Sequence, residues 1–417
     1  MNQQEPAETL SVEQARAAIS RNINPIVTTE LSSLRAALGR VLAEDIISPI
    51  NVPAADNSAM DGYALAGKVL DSDAPCRLNI VGGAFAGRPF IGSVDAGTCI
   101  AITTGALLPA GCDTVVPQEL ALDATATYVN LPAHAVPPGA NRRLAGEDLQ
   151  RGSIALTRGK ILRPADIGLL ASLGMADVPV MRRLRVAFFS TGDELRSIGE
   201  TLEPGCVYDS NRYTLQAMLT RLGCEAVDLG VVRDDPEALE ATLRRACVEA
   251  DAVVTSGGVS VGAADYTRQI MAQLGAVDFW KIAMRPGRPM AFGRIASEGH
   301  SAYLFGLPGN PVAVMVSFYM IARDALLYLS GAKVAPLPLL SVPTRTTIRK
   351  KPGRTEFQRG FLVPDEQGRA AVSLTGPQGS GILRSMSEAN CMVVLPHDCG
   401  DVEAGQAVDV MLFDGLI

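Results

Sequence analysis

Between Arg183 and Gly331 the chain alternates short apolar runs with stretches of helical spacing. The order is LRVAFFSTG, a helix near Tyr213 to Leu222, AVDLGVV, a helix from Pro236 to Ala250, DAVVTSGG, and a helix from Tyr266 to Leu274. The runs VDFWKIAM, PMAFGRI and AYLFGLPG follow, closed by a long helix. Such alternation predicts a mostly parallel sheet with helices on both faces, because parallel neighbours need a crossover that returns over one face. Ligands of such a sheet lie outside the carboxyl ends of its strands.

The residues released at those ends are polar and glycine-rich. After the apolar run Ala252, Val253, Val254 comes TSGGVSVGAADYT (255–267), where Gly257, Gly258, Ser260 and Gly262 leave backbone N–H groups uncovered for a phosphate. The first strand ends in Ser190, Thr191, Gly192, Asp193 and Glu194, the second is followed by Arg233, Asp234 and Asp235, and the glycine loop reaches Asp265. Carboxylates at three neighbouring strand ends suit a Mg²⁺ bridged to a phosphate, with Glu194, Asp234 and Asp265 as candidate ligands. Asp193 and Asp235 read equally well as helix N-caps. Further on, WKIAMRPGRPMAFG sets Lys281, Arg285 and Arg288 around a stiff Pro-Gly turn suited to oxyanions, and GLPGNPVA exposes Pro308, Gly309 and Asn310 before a helix.

The flanks have a different texture. Residues 10–45 carry apolar positions at helical spacing, with Ser11 and Thr29 as N-cap candidates, and predict two helices. Short β-rich runs separated by Gly, Pro and Asp fill the stretch to about residue 141, and the tail from Pro336 is strand and turn. The expected fold class is α/β multidomain: a three-layer α/β/α domain with a mostly parallel sheet (183–331), a helical/β N-terminal region (1–45 and 142–182) with an inserted β domain (46–141), and a C-terminal β domain (336–417). The tail concentrates Arg345, Arg349, Lys350, Lys351, Arg354 and Arg359 against Glu356 alone, a local attraction for an anion.

Composition narrows the chemistry. A chain of 417 residues with a net charge of −7 is too acidic for a nucleic-acid surface to be its main business. The eight cysteines form no CxxC pair and there are only three histidines, so any metal should be hard and oxygen-bound, with Mg²⁺ the natural candidate. The run Val312 to Leu329 contains Arg323 and Asp324 and reads as a buried helix rather than a membrane span. The opening MNQQEPAETLSVEQA has neither a cationic start nor an apolar core, so a cytoplasmic location is expected.

Taken in order, DNSAMDGYA (56–64), GEDL (146–149), FSTGDEL, RDDP, TSGGVSVGAADYT, the PGRP turn, GLPGNPV and PGRTEFQRG resemble the molybdopterin molybdenumtransferases, the molybdenum-insertion enzymes to which the gephyrin E domain is similar. The resemblance runs over nearly the whole chain. It implies that adenylylated molybdopterin and molybdate give molybdenum cofactor and AMP with Mg²⁺ required, in a homodimer whose site lies between the α/β domain of one subunit and the β domains of the other. Carried over residue by residue, it implies functional acids at Asp61, Asp148, Glu194, Asp234 and Asp265, cations at Lys281 and Arg285, and Arg359 and Ser380 from the tail. Ser190, Thr191, Gly192, Gly257, Gly258, Ser260, Arg288, Pro308, Gly309 and Asn310 complete the implied ligand-binding set. Arg285 and Arg288 stand where the family's turn carries lysines, replacing point charges by planar forks. The implied partners are the upstream adenylyltransferase and downstream molybdoenzyme chaperones. Two other readings compete: the adenylyltransferase itself, disfavoured by the extra β domains, and a non-catalytic scaffold of the same fold, disfavoured by the lack of a linker or low-complexity tract.

Overall fold

The computed structural model describes residues 9–259 and 265–413, without the side chains of Asp265 and Tyr266. Ser260, Gly262 and the Asp265 carboxylate therefore lie outside the described residues.

The central sheet has seven strands in the order Thr9–Leu10, Gly275–Ile282, Pro289–Ser297, His300–Leu307, Ala252–Ser256, Arg185–Thr191, Glu225–Val232. Four of its pairings are parallel, and the two flanking Pro289–Ser297 are antiparallel. Successive side chains of a strand point to opposite faces, and here both faces are covered. Val186 and Phe188 pack with Leu215, Leu219, Val316 and Leu326 on one side, while Ala187 and Phe189 pack with Leu239, Leu243 and Met271 on the other. This two-sided burial is why the strands read as unbroken apolar runs. It makes the α/β region three-layered, as expected.

Local signals explain most helices. Ser11 caps Val12–Asn22 in a capping box with Gln14, and Asp235 caps Pro236–Glu249 by accepting the Ala238 N–H at 2.8 Å. Asp193, read as a cap candidate, caps no helix; its Oδ1 accepts the Asp234 N–H at 3.2 Å in the turn between strands. The second helix expected before residue 45 is absent. Thr29–Ser33 is a strand paired with Asp177–Met181, followed by a short 3₁₀ turn, Leu34–Ala36. An amphipathic pattern this short is marginal as a helix, and five registers of ladder pairing outweigh it. The first helix does not pack with residues 29–47; Val12, Ala15 and Ile19 enter the core of the central sheet.

The apolar segment Pro311–Leu329 is a helix interrupted by a π turn at Phe318–Ala322, with 83% of its most apolar window buried. It is a core helix, as its composition suggested.

Two β regions flank this sheet. A six-stranded sheet runs Thr114–Pro117, Gly62–Leu65, Thr98–Ile102, Cys76–Ala84, Tyr128–Leu131, Asp123–Ala124, with Asn57–Ser58 pairing with Arg142–Arg143 beside it. The other sheet is built on Thr355–Pro364 and Cys391–Leu395, and its outermost member is Met284–Arg285, taken from the Pro-Gly turn of the α/β region.

Candidate active site at the strand ends

Parallel pairing brings the ends of Arg185–Thr191, Ala252–Ser256 and His300–Leu307 side by side. Gly257 follows at φ +94°, and a Cβ there would lie 2.5 Å from the Thr191 carbonyl oxygen, so only glycine lets the two loops approach this closely. The expected phosphate donor at Gly257 is spent on the fold, since its N–H donates to the Leu307 carbonyl at 3.1 Å. Ser190 is likewise turned inward: it is fully buried and its hydroxyl donates to Asp209 at 3.0 Å. Gly258, at φ +71°, lies beside Thr191 and Thr267.

Thr191 and Asp234 are brought together, the hydroxyl donating to Oδ1 at 2.7 Å. Glu194 curls over Gly192, its Oε2 lying 2.6 Å from where a Gly192 Cβ would stand. Asp265 begins the helix Asp265–Leu274. The donors gathered here are oxygens, and Mg²⁺ binds through one or two carboxylates plus substrate phosphates rather than an all-protein cage. The Thr191 hydroxyl and the Asp234 carboxylate, 2.7 Å apart, are oxygen donors of the kind that ion takes; among the described residues no three His, Cys, Asp or Glu side chains gather to hold a metal. A cleft of about 780 Å³ opens beside the loop, lined by Gly192, Asp193, Arg196, Arg212 and Arg233.

Of the cationic residues, Arg285 and Arg359 come near each other, close to the helix Pro311–Leu329. Gly287 sits at φ +100° where a Cβ would lie 2.3 Å from Ser317 Oγ, so the Pro-Gly turn is pressed onto that helix. The exposed Arg285 reaches Glu356 at 3.8 Å; Glu356 is buried and is also bonded by Arg354 (3.3 Å) and Gln358 (2.9 Å). Arg359 is fully buried and, among the described residues, has no carboxylate partner. Its guanidinium donates to Ser385 Oγ (2.9 Å) and to the carbonyls of Gln378 (3.4 Å) and Gly379 (3.0 Å). Burial, with the Arg285 charge added, lowers its pKa to about 10, which still leaves it cationic at neutral pH. The next residue of that loop, Ser380, accepts the Val312 N–H at 3.0 Å, which sets Arg359's loop against Pro308, Gly309 and Asn310. Asn310 occupies the N-cap of the last helix without a side-chain bond to it. Lys281 is half-buried in Gly275–Ile282, and the exposed Arg288 lines a separate cleft of about 300 Å³ with Lys351 and Arg354.

The tail is not the uniform positive face its sequence suggests. Arg349 pairs with Asp401 at 2.7 Å, Lys350 is buried on the Cys399 carbonyl at 2.7 Å, and Arg345 donates to the Pro364 carbonyl at 2.6 Å.

The two motifs of the inserted region also meet. Arg142–Arg143 pairs with Asn57–Ser58, and Asp56 accepts the Ala145 N–H at 2.8 Å. Asp61 Oδ1 accepts the Thr104 N–H (2.6 Å) and hydroxyl (2.9 Å), which hold its carboxyl below the usual carboxylate range. Asp148 is exposed. Among the described residues no hydrogen bond or ion pair joins Asp61 or Asp148 to the strand-end loops.

The sequence reading does not single out Asp209, Asn211 or Gln378. Asp209 and Asn211 are only 1% and 6% exposed, flanking the start of the helix Ser210–Arg221. An Asp-Ser-Asn run before a helix advertises a cap, and Asp209 is one, accepting the Arg212 N–H at 3.1 Å. Its burial had no local signal. Gln378 Oε1 accepts the Arg359 backbone N–H at 2.8 Å.

Three family models match the chain in succession: the MoeA N-terminal region (domain I and II) over 10–174, the probable molybdopterin binding domain over 187–328, and the MoeA C-terminal region (domain IV) over 341–413. A molybdopterin-binding α/β domain carried between these two regions defines the class, a multidomain MoeA-like protein. A molybdopterin molybdenumtransferase of Haemophilus influenzae is 41% identical over 412 residues, covering 98% of this chain and 100% of that protein. Molybdopterin molybdenumtransferase 2 of Mycobacterium tuberculosis is 36% identical over 386 residues, covering 90% and 93%. The crystal structure of a molybdopterin biosynthesis MoeA protein from Pyrococcus horikoshii superimposes with a TM-score of 0.82 at 29% identity, covering 97% of this chain and 100% of that one. The chain belongs to the molybdopterin molybdenumtransferase family.

Proposed function

We propose that the chain inserts molybdenum into adenylylated molybdopterin, consuming molybdate and releasing AMP. The observation that carries this reading is the junction at Ser380 and Val312, which sets the buried Arg359 of the C-terminal region beside the glycine-lined strand ends of the α/β region. The relatives that match over nearly the full chain are named for this step, which disfavours the adenylyltransferase reading.

Roles follow from charge and position. Gly258, with Thr191, Gly309 and Asn310 around it, cradles the pyrophosphate; Ser260 belongs to the same proposal. Arg285 and Arg359 hold the molybdate dianion, with Lys281, Arg288 and Ser380 at the edges of that field, and present it to the dithiolene sulfurs. No protein nucleophile is required. Asp234, with Glu194 and Asp265, would hold Mg²⁺, which when bound offsets the charge of the departing phosphate. Asp61 and Asp148 enter the site from the second subunit of a homodimer. A cytoplasmic location, and contact with the adenylyltransferase that supplies the substrate and with molybdoenzyme chaperones that receive the product, belong to the same reading. So do the domain bounds at about residues 46, 142, 183 and 336.

The test is AMP release by the purified protein given adenylylated molybdopterin, Mg²⁺ and molybdate. Release that depends on molybdate is expected. No release from verified substrate would overturn the reading, and ATP consumption with free molybdopterin would replace it with the adenylyltransferase.

A further inference from the structure

We propose that Asn211 is a positioning residue that fixes the spacing of the phosphate cradle, with Asp209 as its support; the inference rests on the function proposed above. The Asn211 side-chain nitrogen has two N–H donors and uses both, one to Ser256 Oγ and one to the Gly309 carbonyl, each at 2.7 Å. Ser256 immediately precedes Gly257 and Gly258, and Gly309 precedes Asn310. One amide therefore ties the glycine loop to the corner before the last helix, and a Cβ at Gly309 would stand 3.7 Å from the Gly257 Cα. Two residues earlier, Asp209 Oδ1 takes the hydroxyl of Ser190, the neighbour of Thr191. The start of one helix thus grips three adjacent strand ends.

The chemistry is more specific than packing requires. Buried polar groups cost stability unless bonded, and an apolar side chain of Asn211's size would fill the same volume. Asp209 is costlier still, because its Oδ2 is buried and bonded to nothing among the described residues. An asparagine there would accept from Ser190 equally well. The acid keeps the Ser190 hydroxyl turned inward as a donor at 3.0 Å, which fixes the strand end that carries Thr191. Neither residue need touch substrate; each sets where the loops that do so stand.

The experiment compares Asn211→Leu with wild type in the full-length protein. AMP binding is measured by calorimetry, Michaelis constants for adenylylated molybdopterin and molybdate by AMP release, and folding by thermal unfolding. Loss of both donors should weaken AMP binding and raise the KM for adenylylated molybdopterin about tenfold, while the molybdate KM stays within about twofold. Unchanged AMP affinity, or an equal rise in both KM values, would overturn the proposal. If Asn211→Leu does not fold, Ser256→Ala, which removes one acceptor only, should weaken AMP binding about threefold; no change there overturns it as well. Wild-type protein that binds AMP but releases none from substrate would instead count against the proposed function, so the two failures are distinguishable.

Discussion

The acids at the strand ends and the acids of the inserted region are alike in chemistry and in exposure, and differ in what lies behind them. Asp234 is anchored by Thr191, and behind it Ser190, Asp209, Asn211 and Ser256 are buried and bonded in two pairs, Ser190 to Asp209 and Asn211 to Ser256. Asp61 and Asp148 are exposed, and Asp61 is held by a single neighbour, Thr104. Asp234 thus stands on a strand end that the chain's own core holds in place. Asp61 and Asp148 stand on an exposed surface without a bond to the strand-end loops among the described residues, which is how the second subunit enters the proposal.

The strongest way to break this contrast is to remove the buried cation. Arg359→Met should lower molybdate-dependent AMP release about 10²–10³-fold, and a loss below tenfold with an unchanged molybdate KM would put the oxyanion elsewhere. The same cation makes a pH prediction for the wild-type enzyme. Arg359 is charged below its pKa of about 10 and neutral above it, so the molybdate KM should rise as pH approaches 10. The linked stability has the opposite sense. An unfolded arginine keeps its proton to higher pH, so from about 10 upward the unfolded chain binds more protons and folding gains from this group.

A second test addresses the division between surfaces. Asp61→Asn and Asp234→Asn should each be inactive alone, yet an equal mixture, after subunit exchange, should regain about a quarter of wild-type activity if each site draws on both subunits. No recovery would mean that both acids act within one chain. The smallest effect is expected at Thr104. The lowered pKa of Asp61 contributes stability above its unfolded value that is lost as pH falls through the folded one. Thr104→Val removes one of the two bonds, so a slight loss of thermal stability near neutral pH should vanish in strong acid.

Much of the fold was legible because it is written locally. Two-sided burial gives unbroken apolar runs, and Asp235 and Ser11 cap where they stand. Pairings over long separations left no local trace. Thr29–Ser33 became a strand because Asp177–Met181 lies beside it, and residues 56–58 meet residues 142–145 through the pairing of Asn57–Ser58 with Arg142–Arg143 and through Asp56, which accepts the Ala145 N–H. At the proposed site, residue types point to loops but do not say which of their atoms the fold consumes. The Gly257 N–H and the Ser190 hydroxyl look available in the sequence and are not, because a carbonyl and a carboxylate from elsewhere reach them first.

The short strand Met284–Arg285 carries one more consequence. It runs parallel to Thr355 and Glu356, so the α/β region lends its cationic turn to the C-terminal sheet. The break between the two regions near residue 331 is a break in the chain but not in the hydrogen-bonded sheet. A fragment ending there would keep the turn and lose its ladder partner together with the Glu356 carboxylate, leaving a bare sheet edge. Trimming the tail would therefore take away part of the sheet to which the cationic turn belongs.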